Sequence, residues 1–157
     1  MSTVEQSIDI ELPVRTVYDQ WTQFEEFPKF MEGVEQVKQL DDTHLHWVAK
    51  VAGQQREWDA EITEQIPDER ISWRSREGAT NAGVVTFHRL DEGTTRVMLQ
   101  LEFEPETLTE KVGDAVGLVK HRAKGDLARF RDYLEGRGTE TGAWRGEVTQ
   151  DEKTARN

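Results

Sequence analysis

Hydrophobic positions along this chain keep two different beats. Val4, Ile8, Ile10 and Leu12 fall on one face with Gln6, while Glu5, Ser7, Asp9 and Glu11 fall on the other. A period of two predicts a half-buried strand. Pro13 stops it and suits the first position of a helix. Val14, Val17, Trp21 and Phe24 recur at helical spacing and predict an amphipathic helix over 13–24. Phe27, Pro28, Phe30 and Met31 predict one or two further helical turns, ended by Gly33. From 34 to 104 the period of two returns. It is broken by turn chemistry at Asp41-Asp42, Gly53-Gln54, Pro67-Asp68, Gly78 and Asp91-Glu92-Gly93. That pattern predicts six consecutive strands, an antiparallel meander. Over 107–136 the beat changes again. Val112, Val116, Val119, Ala123, Leu127, Phe130 and Leu134 form one continuous stripe on a long helix, ended by Gly136 and Gly138.

The turns also predict which residues face each other. A turn at Gly53-Gln54 sets Trp47 opposite Ala60, Ala49 opposite Trp58 and Leu45 opposite Ile62. The Pro67-Asp68 turn sets Ile62 opposite Trp73. The Gly78 turn sets Trp73 opposite Gly83 and Ile71 opposite Val85. The Asp91–Gly93 loop sets Phe87 opposite Val97, Val85 opposite Leu99 and Gly83 opposite Leu101. Together these registers collect Leu45, Trp47, Ala49, Val51, Trp58, Ala60, Ile62, Ile71, Trp73, Val85, Phe87, Val97, Leu99, Leu101 and Phe103 on one face. The agreement carries weight, because a one-residue slip would invert a face. Val34, Val37 and Leu40 do not alternate, which predicts a bulge in the strand at 34–40.

Geometry then sets the architecture. Seven strands spaced ~4.8 Å make a sheet roughly 30 Å wide, whereas one long helix is only ~10 Å across. The sheet must curl around the helix, with the segment 13–31 closing one end. The expectation is an α+β fold: a seven-stranded curved antiparallel sheet around a long C-terminal helix, with two short helices after the first strand.

Composition narrows the function. A chain of 157 residues suits a single domain, read as residues 1–136, followed by a polar, aperiodic and flexible tail at 137–157 in which only Ala143, Trp144 and Val148 break the pattern. There are no cysteines, so thiol chemistry and disulfides are out. The net charge of −11 disfavours nucleic acid, whose binding needs Lys and Arg against phosphates. No apolar run reaches the ~20 residues of a membrane span, and no signal pattern opens the chain, so a cytoplasmic protein without stable membrane insertion is expected. The four histidines, His44, His46, His88 and His121, lack metal-ligand spacing, and no glycine-rich phosphate loop is present. No metal and no cofactor is expected.

The stretches ELPVRTVYDQWTQFEEFPKFMEGVEQV, WDAEITEQIPDERISWRS and AGVVTFHRL carry a resemblance. Over residues 3–135 the chain resembles the SRPBCC superfamily, in particular its START-like polyketide cyclase/dehydrase and coenzyme Q-binding branch. The resemblance implies a helix-grip fold and a cavity between sheet and long helix. In this family that cavity serves lipid binding, quinone binding, cyclisation or dehydration, with no universal catalytic motif to carry over.

On that basis Trp47, Trp58, Trp73, Phe87 and Leu99 are expected to wall a ligand cavity, with Phe30, Met31 and Val119 also lining it and Trp21, Phe27, Phe30 and Met31 forming its lid region. Polar groups on the inner face are few: Arg56, Glu64, Ser75 and Asn81. Glu64, Arg56 or Asn81 would serve any acid–base or positioning role. Three readings stay open. The first is a non-enzymatic binder of a hydrophobic small molecule (lipid, polyketide or quinone-like). The second is a polyketide cyclase or dehydratase. The third is an interaction protein acting through the tail, where Trp144 could dock a protein partner, and through the basic run Lys120, His121, Arg122 and Lys124 on the helix.

Overall fold

The computed structural model describes residues 2–51, 53–78, 81–104 and 112–149. Seven strands, β1 (Ser2–Ile10), β2 (Val34–Gln39), β3 (His44–Val51), β4 (Gln54–Ile66), β5 (Arg70–Gly78), β6 (Asn81–Asp91) and β7 (Thr94–Phe103), form one antiparallel sheet in the order β1-β7-β6-β5-β4-β3-β2. Between β1 and β2 lie α1 (Val14–Trp21) and a 3₁₀ helix (Phe24–Lys29); α2 (Val112–Arg137) follows the meander. Pro13 is extended, at φ −61° and ψ 151°, and sits just ahead of α1. There its missing N–H costs nothing. Gly33 takes φ +83° where the 3₁₀ segment turns into β2, a conformation other residues adopt only with strain.

Period-two patterning places the core on the concave face. Leu45, Ala60, Ile62, Ile71, Val85, Phe87, Val97, Leu99 and Phe103 are buried there, and Ala123, Leu127, Phe130 and Leu134 bury the α2 stripe against them. The β5–β6 and β6–β7 registers hold as read: Trp73 faces Gly83, Ile71 faces Val85, Phe87 faces Val97 and Gly83 faces Leu101. The predicted irregularity in β2 lies between Val34 and Gln36.

The β3–β4 register differs from the reading. Val51 pairs with Gln54, so Trp47 faces Trp58, Leu45 faces Ala60 and Ala49 faces Arg56. The connection is centred one residue earlier than Gly53-Gln54, which slides the pairing by two. An even slide keeps every side chain on its face, so the inner set survived while the partners changed. The two indoles are parallel, with ring centroids 5.8 Å apart and an interplanar angle of 9°.

Residues 138–149, expected to form a flexible tail, instead lie on the domain. Val148 is buried and exchanges both backbone hydrogen bonds with Gln65, at 2.7 and 2.9 Å. It thereby covers the β4 edge beyond Glu61, where the described pairing with β3 stops. Gln20 Nε2 donates to Thr141 Oγ1 and the Thr141 N–H donates to Gln20 Oε1. Arg145 donates to Asp19 at 2.5 Å and to Asp68 at 2.8 Å, and its guanidinium lies 5.6 Å from the Tyr18 ring centroid. The polarity that looked like disorder is matched to a polar surface. Asp19, Gln20, Thr22 and Gln65 are buried, and buried polar groups need partners. Trp144 bonds through its backbone N–H to Thr22 Oγ1, and its ring covers Gly146. Residues 150–157 lie outside the described part.

On the convex face His46 sits directly across from Asp59, with Nδ1 2.6 Å from a carboxylate oxygen and Nε2 3.1 Å from Glu57. The hydrogen bond to Asp59, then that to Glu57, raises the His46 pKa above its ordinary value. The stabilisation this brings is complete below about pH 6.5 and is lost as the pH climbs through the higher folded value. Urea unfolding is therefore expected to give a higher midpoint at pH 6 than at pH 8. His46→Gln should shrink that difference, and an unchanged difference would remove His46 as its source.

Candidate ligand cavity

A cavity of about 200 Å³ lies between the concave sheet face and α2. Leu45, Trp47, Trp58, Ile62, Ile71, Trp73, Leu99 and Leu101 wall it from the sheet. Trp21, Phe24, Phe27 and Met31 close it from the segment after β1, and Leu118, Val119, Ala123 and Leu127 line it from α2. Its position follows from the curl. The two buried turns at Leu127–Leu134 press directly on the sheet and on Trp21, whose ring centroid is 5.0 Å from that of Phe130. Toward the N-terminal half of α2 the stripe residues Val116 and Val119 are only partly buried, and the space between helix and sheet opens.

Of the expected lining residues, Trp47, Trp58, Trp73, Leu99, Met31 and Val119 border this space. Phe30 and Phe87 do not. Phe30 packs on Phe130 and Tyr133, at 5.1 and 5.5 Å, and Phe87 on Tyr18 and Trp21, at 5.2 and 6.3 Å. Both rings back the end of the cavity from the solid core.

The polar candidates divide in the same way. Asn81 borders the cavity, and its backbone N–H donates to Ser75 Oγ at 3.0 Å. Glu64 does not border it. A β-bulge between Ile62 and Glu64 changes the parity of β4, so Glu64 pairs with Ser72 and Gln65 takes the place opposite Ile71. Glu64 then accepts two hydrogen bonds from Arg70, at 2.5 and 3.1 Å, and the first of these effects, the Arg70 hydrogen bond, holds its carboxyl below the usual range. That is the opposite of what an acid catalyst needs. Arg56 also lies away from the cavity and donates to Gln54.

Gln65, turned inward by the bulge, donates from Nε2 to Tyr18 at 3.1 Å. Burial pushes the Tyr18 hydroxyl up to about 12, against the lowering effect of that hydrogen bond. Tyr18 stays neutral through the physiological range and serves the buried junction between α1, β4 and the C-terminal segment.

Three polar lining residues were not foreseen, Glu102 on β7 and Arg122 and Asp126 on α2. The two on α2 have a common origin. They belong to a row, Arg122, Asp126 and Arg129, spaced four and three apart beside the apolar stripe. This row pins the lid segment. Arg122 Nη1 donates to the Lys50 carbonyl at 2.6 Å and lies over Gly33, where an added Cβ would come within 2.7 Å of it. Arg129 Nε donates to the Phe30 carbonyl at 2.8 Å. Asp126 Oδ1 accepts from the Glu32 N–H at 2.9 Å and from Arg129 Nη2 at 2.5 Å. Burial outweighs both bonds and raises the Asp126 carboxyl above its ordinary value. The signal was a second polar helical row, masked by reading only the apolar one.

Among the described residues no group of three or more His, Asp or Glu side chains is placed to hold a metal ion. No helix there is long and apolar enough to cross a membrane.

Residues 10–131 match the family model described as polyketide cyclase / dehydrase and lipid transport. An uncharacterised 17.2 kDa protein of Streptomyces lincolnensis is 60% identical over 149 residues, covering 94% of this chain and 99% of that one. The Zhui aromatase/cyclase of Streptomyces sp. R1128 superposes with a TM-score of 0.75 at 16% identity, over 91% of this chain and 99% of that chain. A START superfamily protein of Mycobacterium smegmatis gives a TM-score of 0.67 at 16% identity, over 86% and 95% of the respective chains. At such identities the two superpositions speak for a shared fold.

Proposed function

The chain belongs to the polyketide cyclase / dehydrase and lipid transport family, and on that premise we propose that it binds a compact hydrophobic small molecule between the sheet and α2. The observation that carries this reading is the cavity wall of Trp47, Trp58 and Trp73 with aliphatic neighbours. Flat, rigid aromatic surface with few polar groups is what an apolar ring compound needs. Size narrows the class. An apolar cavity of about 150 Å³ binds benzene, so about 200 Å³ suits one or two fused rings, or a short alkyl chain, when the side chains stay in place.

A cyclase or dehydratase activity is the second reading, and it would have to work through Asn81, Glu102, Arg122 and Asp126, since Glu64 and Arg56 lie elsewhere. The raised carboxyl of Asp126 is the observation that favours it, because a general acid or base works best with a pKa drawn toward the working pH.

Native mass spectrometry of the purified protein, followed by solvent extraction, tests the binding reading. A co-purifying hydrophobic molecule, lost or reduced in Trp58→Ala, is the expected result. Equal retention by Trp58→Ala would count against the tryptophan wall as the site.

A further inference from the structure

The polar lining of the cavity is sparse, and its chemistry selects among hydrophobic ligands. Arg122 and Asp126 stand one helical turn apart on α2 and both border the cavity, while the facing sheet wall is mostly indoles and aliphatic groups, with Asn81 and Glu102 its polar members. Every described hydrogen bond to Asp126 falls on Oδ1, from Glu32 and from Arg129. The side chain is held in place by these two bonds and is only 13% exposed, so its orientation is fixed before any ligand arrives. Among the described residues Oδ2 has no protein partner. A carboxylate oxygen has lone pairs to fill and no proton to give. A second polar atom of the ligand would meet Arg122, whose Nη1 already donates to the Lys50 carbonyl and whose remaining N–H groups can only donate.

We infer that Asp126 is a specificity-determining residue which selects ring compounds bearing a hydroxyl group, accepting the ligand O–H on Oδ2. The hydroxyl is the smallest neutral oxygen group that fits both neighbours, since it donates to the carboxylate and accepts from the guanidinium. A bare hydrocarbon filling the cavity would displace water from Oδ2 and supply no donor in its place, and an unmet polar atom is costly. A ligand carboxylate would meet Asp126 as a like charge. The inference rests on the binding reading above and deepens it: the ligand is a one- or two-ring phenol or cyclic alcohol, its ring against the tryptophans and its hydroxyl toward α2.

Three matched probes test it: naphthalene, 2-naphthol and 2-methoxynaphthalene, titrated at pH 7.5 with tryptophan fluorescence as the readout. The last keeps the oxygen as acceptor and removes the donor. 2-Naphthol is expected to bind about tenfold more tightly than either of the others, the part of a hydrogen bond to a charged group that survives desolvation. In Asp126→Asn the naphthol-to-methoxynaphthalene ratio is expected to fall toward one, and a ratio, unlike an affinity, is insensitive to general loosening of the cavity. A tenfold preference that persists in Asp126→Asn would overturn the assignment. If that variant does not fold, the wild-type pair still decides, because equal binding of naphthol and its methyl ether overturns the donor requirement. Failure of all three probes to bind would instead overturn the cavity reading itself, and the inference with it.

Discussion

Replacing Arg145 with alanine is expected to lower the unfolding free energy by about 3 kcal/mol, the low end of the effect of removing one partner from a buried ion pair. Asp19 is the reason. Its side chain is 3% exposed, and Arg145 lies 2.5 Å away. Burial already pushes the Asp19 carboxyl up, and Arg145 is the main influence holding it down. Without the guanidinium a buried carboxylate must either take up a proton or draw water into the α1 face. The low end applies because Arg145 is itself 26% exposed and water can replace part of what it gives. Asp68 loses a partner as well, at a backbone position with φ +64°. Urea denaturation with limited proteolysis checks this: segment 138–149 should become cleavable before the domain unfolds. The double variant Asp19→Asn, Arg145→Ala should recover part of the loss, since the amide carries no stranded charge. A cost below about 1 kcal/mol would place this pair with ordinary surface ion pairs.

Gly83→Val is expected to abolish ligand binding more completely than removal of any single wall residue. Gly83 faces Trp73 across β5–β6, and a Cβ built there would come within 2.5 Å of the indole Cζ2 and 2.9 Å of Cε2. No real contact is that short, so the ring must move. The sheet lies beneath it, and the open volume it already borders is the cavity. Valine therefore drives Trp73 into the space the ligand needs. Overpacking of this kind costs about 1–3 kcal/mol, and the affinity should fall at least tenfold, or about 1.4 kcal/mol. The check is naphthalene binding alongside thermal unfolding. Intact affinity in a folded Gly83→Val protein would mean that Trp73 has another place to go, and that it is not a fixed wall.

How far the sequence spoke for this structure depends on the kind of signal. Parity is robust. Inner and outer faces were assigned correctly over most of β3 to β7, up to Ile62 in β4, because each strand alternates. The β3–β4 pairing shows its limit: a shift of two leaves parity intact, and nothing in the alternation of Leu45, Trp47 and Ala49 distinguishes Ala60 from Trp58 as the partner of Trp47. Bulges break parity outright. The bulge at Ile62–Glu64 carried Glu64 out of the site and Gln65 into the core, and no turn residue announces it. The α2 stripe was plain, yet Asp126 was not, because a polar residue beside an apolar stripe has the pattern of an ordinary solvated flank. The segment 138–149 failed for a related reason. Polarity predicts exposure only when the surface underneath is apolar or absent, and here α1 and the residue that ends it present Asp19, Gln20 and Thr22 to be covered.

The strand order has a consequence for biosynthesis. β1 pairs along its whole length with β7, from Ser2 against Phe103 to Ile10 against Thr95. β1 must therefore wait for β7, roughly 5–20 s for a hundred residues at about 5–20 residues per second. During that interval the meander can pair strand by strand, each hairpin closing on its predecessor, while β1 stays without its partner. Its outward charges Glu5 and Asp9, on the face opposite Val4, Ile8 and Ile10, then act as a guard, because charge on an unpaired edge discourages pairing with another nascent chain. The same acidic residues that decorate the finished surface keep the newborn chain soluble until its sheet can be completed.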